Sequence, residues 1–128
     1  MMTFTAFRPD TFLGTHDFVL SREIVDRWTD LFPDDRASLP TIPASMMAMI
    51  LMRAFTNILS ERPQGNIHAG QKFWITRLPS IGEHAVTTLR CVGKEEKNGR
   101  QWITFSSESN GVAGQLLFRG QMTTIWAA

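Results

Sequence analysis

Two adjacent carboxylates, Asp34 and Asp35, stand in a proline-bounded stretch, Pro33 to Pro43, just ahead of the most apolar segment of the chain. Carboxylates in such a turn can orient water or a polar substrate, although an exposed Asp pair also favours the turn itself. The three histidines, His16, His68 and His84, are dispersed. His68 follows Asn66-Ile67 at the start of a strand-like run and is the imidazole that can reach a carboxylate through space rather than along the chain. His16 and His84 stand at strand starts and are read as facing solvent. With Cys91 the only cysteine, no metal-ligand spacing arises, and no Gly-rich phosphate loop occurs. Neither metal nor cofactor is expected.

A second kind of chemistry lies at the start of the segment Ser45 to Ser60. If this segment is a helix, its first backbone N–H groups are unpaired and point along the positive end of the dipole, where they can polarise a carbonyl oxygen. Ser45 reads as the N-cap, which by itself can satisfy those donors. Met46 is then the first helical residue. Met46, Met47, Met49 and Met52 can line a tunnel for a flexible chain, since methionine adapts its shape readily; they serve equally well as core filling.

The elements that must position these groups follow from spacing. Thr15 to Leu20 reads as a first strand. Ser21 caps a helix with Glu23 in its first turn, and Ile24, Val25, Trp28, Leu31 and Phe32 form its apolar stripe before Pro33 ends it. Three prolines in the next eleven residues deny regular structure to Pro33–Pro43. Ser45 to Ser60, apolar almost all round, predicts a long helix buried on most sides. Strand-like runs at Ile67–Leu78, His84–Lys94, Gln101–Ser109 and Val112–Trp126 are the material to wrap it. Asn98-Gly99 and Asn110-Gly111 mark hairpins, and Gly114 and Gly120 suggest bulges or bends. The expected architecture is α+β: strand, helix, loop, long helix, then four antiparallel strands in a meander.

Bulk properties narrow the function. A net charge of +1 with scattered basic residues argues against nucleic acid and anionic membranes as partners. One cysteine excludes an intrachain disulfide and fits a reducing compartment, with Cys91 a packed thiol in a strand. Residues 1–10 lack signal-peptide character, and the longest uncharged stretch, Ala37 to Met52, is interrupted by Pro40 and Pro43 and too short to span a bilayer. The expectation is one soluble, cytoplasmic domain over residues 1–128.

The order of elements, with Ile67 to Glu83 and Pro40-Thr41-Ile42-Pro43 leading into the long helix, resembles the MaoC-like hot-dog domains. Arg77 and Pro79, separated by Leu78, with Gly82-Glu83 beyond, are similar to the Arg-Pro and Gly-Asp of those proteins. The approach to the long helix resembles especially the non-catalytic halves of two-domain members. The resemblance implies a hot-dog fold, a curved antiparallel sheet wrapped around one long helix, and an acyl thioester as ligand, on coenzyme A or a carrier protein. It also implies a dimer, with itself or with another hot-dog domain.

The departures matter as much. Catalytic members carry an Asp and, a few residues on, a His before the long helix, and a His-Gly pair at its start. Here Asp34 takes the Asp position, Leu39 stands where the His belongs, and Ala44-Ser45-Met46 replaces the His-Gly segment. Hydration of an enoyl thioester needs a base for water and an acid for the α-carbon. The reading that follows is an accessory or catalytically degenerate member binding an acyl thioester through Ser45, Met46 and Met49. One alternative is an active (R)-specific hydratase using Asp34 and a spatially supplied His68. The other is an acyl-thioesterase on the same fold; hot-dog thioesterases resemble one another in placing a carboxylate on or beside the long helix, and Ser45 to Ser60 contains no Asp or Glu.

Overall fold

The computed structural model describes residues 1–127. Five strands form one antiparallel sheet: β1 (Thr11–Val19), β2 (Ile67–Ile75), β3 (His84–Lys97), β4 (Arg100–Asn110) and β5 (Leu116–Trp126). Their order is β1-β3-β4-β5-β2. Two helices precede β2: α1 (Arg22–Leu31) and α2 (Met46–Ile58). The Ser21 hydroxyl accepts the Ile24 N–H at 3.2 Å, the cap its sequence position demands.

Only β3, β4 and β5 form a meander; β2 lies at the far edge beside β5, not next to β3. The connections explain this. Asn98 and Gly99 take φ of 54° and 73°, the two positive values of a two-residue hairpin turn. Gly111 to Gln115 closes the β4–β5 link, and Gly114 supplies its positive φ of 86° there, not a bulge. Between β2 and β3 no such turn exists. Residues 76–83 are instead bonded elsewhere, with the Thr76 and Arg77 amides on Leu117 O and the Ile81 amide on Pro40 O.

One face of the sheet meets α2. Its rows alternate along each strand, with Ala85, Leu89 and Cys91 of β3, Ile103 and Phe105 of β4, and Phe118, Met122 and Trp126 of β5 buried. The C-terminal half of α2 sits in a cluster of Leu51, Phe55, Phe105 and Trp126, and its N-terminal half in another of Met46, Met47, Ile50 and Phe118. Each such side chain contributes about 1.5–3 kcal/mol on burial. Phe7, Phe55, Phe105 and Trp126 meet edge-on or tilted, with ring centroids 5.0–6.2 Å apart.

Gly120 marks no bulge either; β5 runs in register through it. A Cβ there would come within 2.6 Å of Ser107 Oγ, so the glycine permits close packing under Phe73. Burial of α2 is also less complete than its composition suggests. Ala48, Arg53, Thr56 and Asn57 are exposed, leaving one flank open. The stretch Pro33–Ser38 is a 3-10 helix, for which a proline in the first turn is no obstacle.

Candidate functional site

The start of α2 is held by two crossing loops. Ile42 is fully buried, its amide donates to Pro79 O at 2.9 Å, and Thr41 forms a bridge with Ser80. That second loop is itself clamped: Arg77 donates twice to the Glu83 carboxylate, at 3.0 and 3.2 Å, and the Ser80 amide donates to the same carboxylate. The residues that carried the family resemblance thus fix the place where α2 begins.

Glu83 is held below the usual carboxylate range, by the Arg77 hydrogen bonds first and the Ser80 amide second. A folded-state value below the unfolded one stabilises the protein fully above the ordinary glutamate range, about 4.3. The contribution fades as pH falls through the lower folded value. Glu83→Gln is therefore expected to lower Tm by a few degrees at pH 7, with the gap to wild type closing in acid. A gap that stays constant down to strongly acidic pH assigns the loss to shape rather than charge.

At the helix start the carboxylate is Asp35. Trp28 Nε1 donates to Asp35 Oδ2 at 2.8 Å, and Ser45 Oγ donates to the same oxygen at 2.8 Å. Half-buried Trp28 needs a partner for its indole N–H, and the Asp turn supplies one. A carboxylate here also suits the positive end of the dipole.

Ser45 is consequently not the N-cap. Its backbone is already helical, φ −58° and ψ −26°, and its side chain makes no capping bond. The helical turn begins at Pro43, whose carbonyl accepts the Met46 amide at 3.0 Å, and Ala44 O accepts the Met47 amide at 3.1 Å. The free donors are then those of Ala44 and Ser45, two residues earlier than expected. Both residues are exposed, and neither amide donates a hydrogen bond among the described residues. Met46 has no orphan amide, and its side chain is fully buried beside Phe18 and Ile42; it fills core and cannot line an open site. Met49 is partly buried and packs against the same cluster.

Asp34 lies exposed in the turn. His68 stands on β2 against the other half of α2, in the wall of a cavity of about 170 Å³ shared with Met52, Phe55 and Thr56. Ten residues of helix separate Phe55 from Ser45, about 15 Å. One chain therefore does not bring Asp34 and His68 together. His16 is not solvent-facing: it lies half-buried in β1, and its Nδ1 is buried without a partner. His84 is engaged by Asp17 at 2.8 Å. Leu39, where an imidazole was expected, packs against the core.

What the site can do follows from this inventory. Two free amides on the end of a 13-residue helix can hold a carbonyl oxygen. One carboxylate beside them has an oxygen occupied by two donors, and no imidazole adjoins it among the described residues. The Asp35 role escaped the sequence reading, although a tryptophan seven residues before an aspartate turn is the signal that points to it.

A scan against protein-family models and a search of the curated proteins find no match. Among solved structures the chain is similar to a MaoC-like dehydratase from Rhodospirillum rubrum, with TM-score 0.81 and 14% identity, covering 100% of this chain and 99% of that one. It is similar to the R-hydratase PhaJ1 from Pseudomonas aeruginosa, with TM-score 0.73, 13% identity and coverage of 97% and 84%. A hot-dog-like protein from Thermanaerovibrio acidaminovorans matches with TM-score 0.71, 12% identity and coverage of 95% and 84%. What is shared at such identities is the backbone: this chain has the hot-dog fold, in the form the MaoC-like dehydratases adopt.

Proposed function

We propose that this hot-dog domain binds an acyl thioester at the start of α2 and acts as an accessory or catalytically degenerate relative of the hydratases and dehydratases. The observation that carries the reading is the pair of free amides at Ala44 and Ser45 with no imidazole beside them. The thioester carbonyl sits on these donors, Asp35 holds Ser45 in place, and Met49 flanks the acyl group. A cytoplasmic setting suits the single buried thiol of Cys91.

Ser45→Pro tests the amide directly. The φ of −58° already matches proline's, and the lost N–H has no internal partner. Ser45→Ala is the control, removing the hydroxyl bond to Asp35 while keeping the amide. Titration with a non-hydrolysable thioether analogue of butyryl-pantetheine should weaken about tenfold for the proline variant, the worth of one hydrogen bond of about 1–2 kcal/mol. The alanine variant should bind nearly as wild type. Equal weakening would transfer the role from the amide to the hydroxyl; no change in either, with Tm preserved, would remove the site from the start of α2.

The same reading includes a dimer, with a second copy or another hot-dog domain, through the open edge of β2. Among the described residues that strand pairs only with β5, and Ile67, Trp74 and Ile75 are 49%, 45% and 52% exposed. Nine residues of unpaired edge carrying apolar side chains are a template for strand pairing. Sedimentation at tens of micromolar should give a dimer that Ile75→Lys dissociates. A wild-type monomer that candidate partners leave unchanged excludes it.

A further inference from the structure

We infer that the cavity between the C-terminal half of α2 and β2–β5 is a binding site for a short aliphatic carboxylate, separate from the start of α2. Its floor is apolar, made by Phe55, Met122 and Trp126, all at least nine-tenths buried. Its rim carries Arg62, Asn66 and His68, and no Asp or Glu lines it.

The rim carries a cation whose charge meets no carboxylate among the described residues. Arg62 Nη1 donates to the Leu59 and Thr56 carbonyls, and its guanidinium lies 5.6 Å over the Phe55 ring. No carboxylate among the described residues is within ion-pair distance of it. Asn66 Oδ1 accepts the Ala127 amide at 2.7 Å, which fixes the orientation of the side chain. Its Nδ2 is buried and has no hydrogen-bond partner among the described residues, so Asn66 shapes the wall of the cavity rather than offering its amide to a ligand. The Thr124 hydroxyl is already spent on Ile103 O.

An apolar floor beside a cation that faces no carboxylate among the described residues selects a ligand with an aliphatic stem and an anionic acceptor at its end. A volume of about 170 Å³ holds roughly six water volumes of about 30 Å³ each, the size of a four- to six-carbon acid. The ligand is a free acid rather than the far end of a short diacyl thioester. A chain of five carbons cannot reach across the roughly 15 Å of helix from the start of α2. The inference therefore does not depend on the thioester reading.

The test is a titration of ¹⁵N-labelled protein with sodium pentanoate and, separately, 1-pentanol, followed through the Asn66 side-chain amide and the Trp126 indole N–H. Pentanoate should shift both resonances saturably, and pentanol should bind about tenfold more weakly, the worth of one charge-assisted hydrogen bond. Asn66→Asp keeps an acceptor for the Ala127 amide but adds a negative charge at the rim. It should abolish the pentanoate response of the Trp126 indole and leave the pentanol response in place. Arg62→Gln should erase the preference for the acid. Absence of any shift with pentanoate at tens of millimolar, equal binding of the alcohol, or undiminished pentanoate binding by Asn66→Asp each overturns the assignment. Displacement of pentanoate by the non-hydrolysable butyryl-pantetheine analogue, which carries no carboxylate, would overturn the claim that the two sites are separate.

Discussion

Crotonyl thioester mixed with the purified chain is expected to remain essentially unhydrated, with turnover at least about a thousandfold below the usual enzyme median of roughly 10 per second. A positioned general acid or base typically contributes 10²–10⁴-fold in rate. Here Leu39 fills the place of an imidazole and packs on the core, while Ala44 stands where the helix-start histidine was expected. Asp35 is present but has one oxygen occupied by the Trp28 indole and the Ser45 hydroxyl. Base and acid cannot both be drawn from this set. A stopped absorbance assay decides it: turnover near the median, abolished by Asp34→Asn or Asp35→Asn, would make the chain a working hydratase and sink the degenerate reading. A mixture with a second hot-dog domain carrying the Asp and His pair is the natural place to look for activity.

Phe105→Ala is expected to cost about 3–5 kcal/mol and to lower Tm by roughly 10–15 °C. Phe105 is fully buried, and its ring stands 5.5 Å from Phe7, 5.4 Å from Phe55 and 5.8 Å from Trp126. Those three come from the N-terminal segment, from α2 and from the last strand, so the cavity left by truncation cannot collapse by moving one element alone. Trp74→Ala, by contrast, removes a ring 45% exposed on the edge strand and should shift monomer stability far less. Urea unfolding with unchanged m-value checks the comparison. A loss below about 1 kcal/mol for Phe105→Ala would mean that the aromatic cluster is not the keystone of the C-terminal half of the core.

The sequence by itself determined what is local. The apolar run at Met46–Leu59 requires a helix that something must cover, Asn98-Gly99 requires a hairpin, and Ser21 caps α1, because each depends on residues a few positions apart. The resemblance around Arg77 and Glu83 likewise led to the right fold. Tertiary structure decided the rest. Only the crossing of residues 39–43 with 76–83 sends β2 to the far edge and breaks the expected meander. Only the folding of the Asp turn back onto α2 makes Asp35, not Asp34, the partner of Ser45, ten residues away, and the turn that opens at Pro43 moves the free amides two residues earlier. The separation of Asp34 from His68, and the meeting of Arg62, Asn66 and His68 around one cavity, likewise have no sequence signature. Propensity and periodicity register what lies within one helical turn or one strand repeat. Hydrogen-bond partners drawn from distant segments are chosen by how the layers pack, and that choice exists only in the assembled chain.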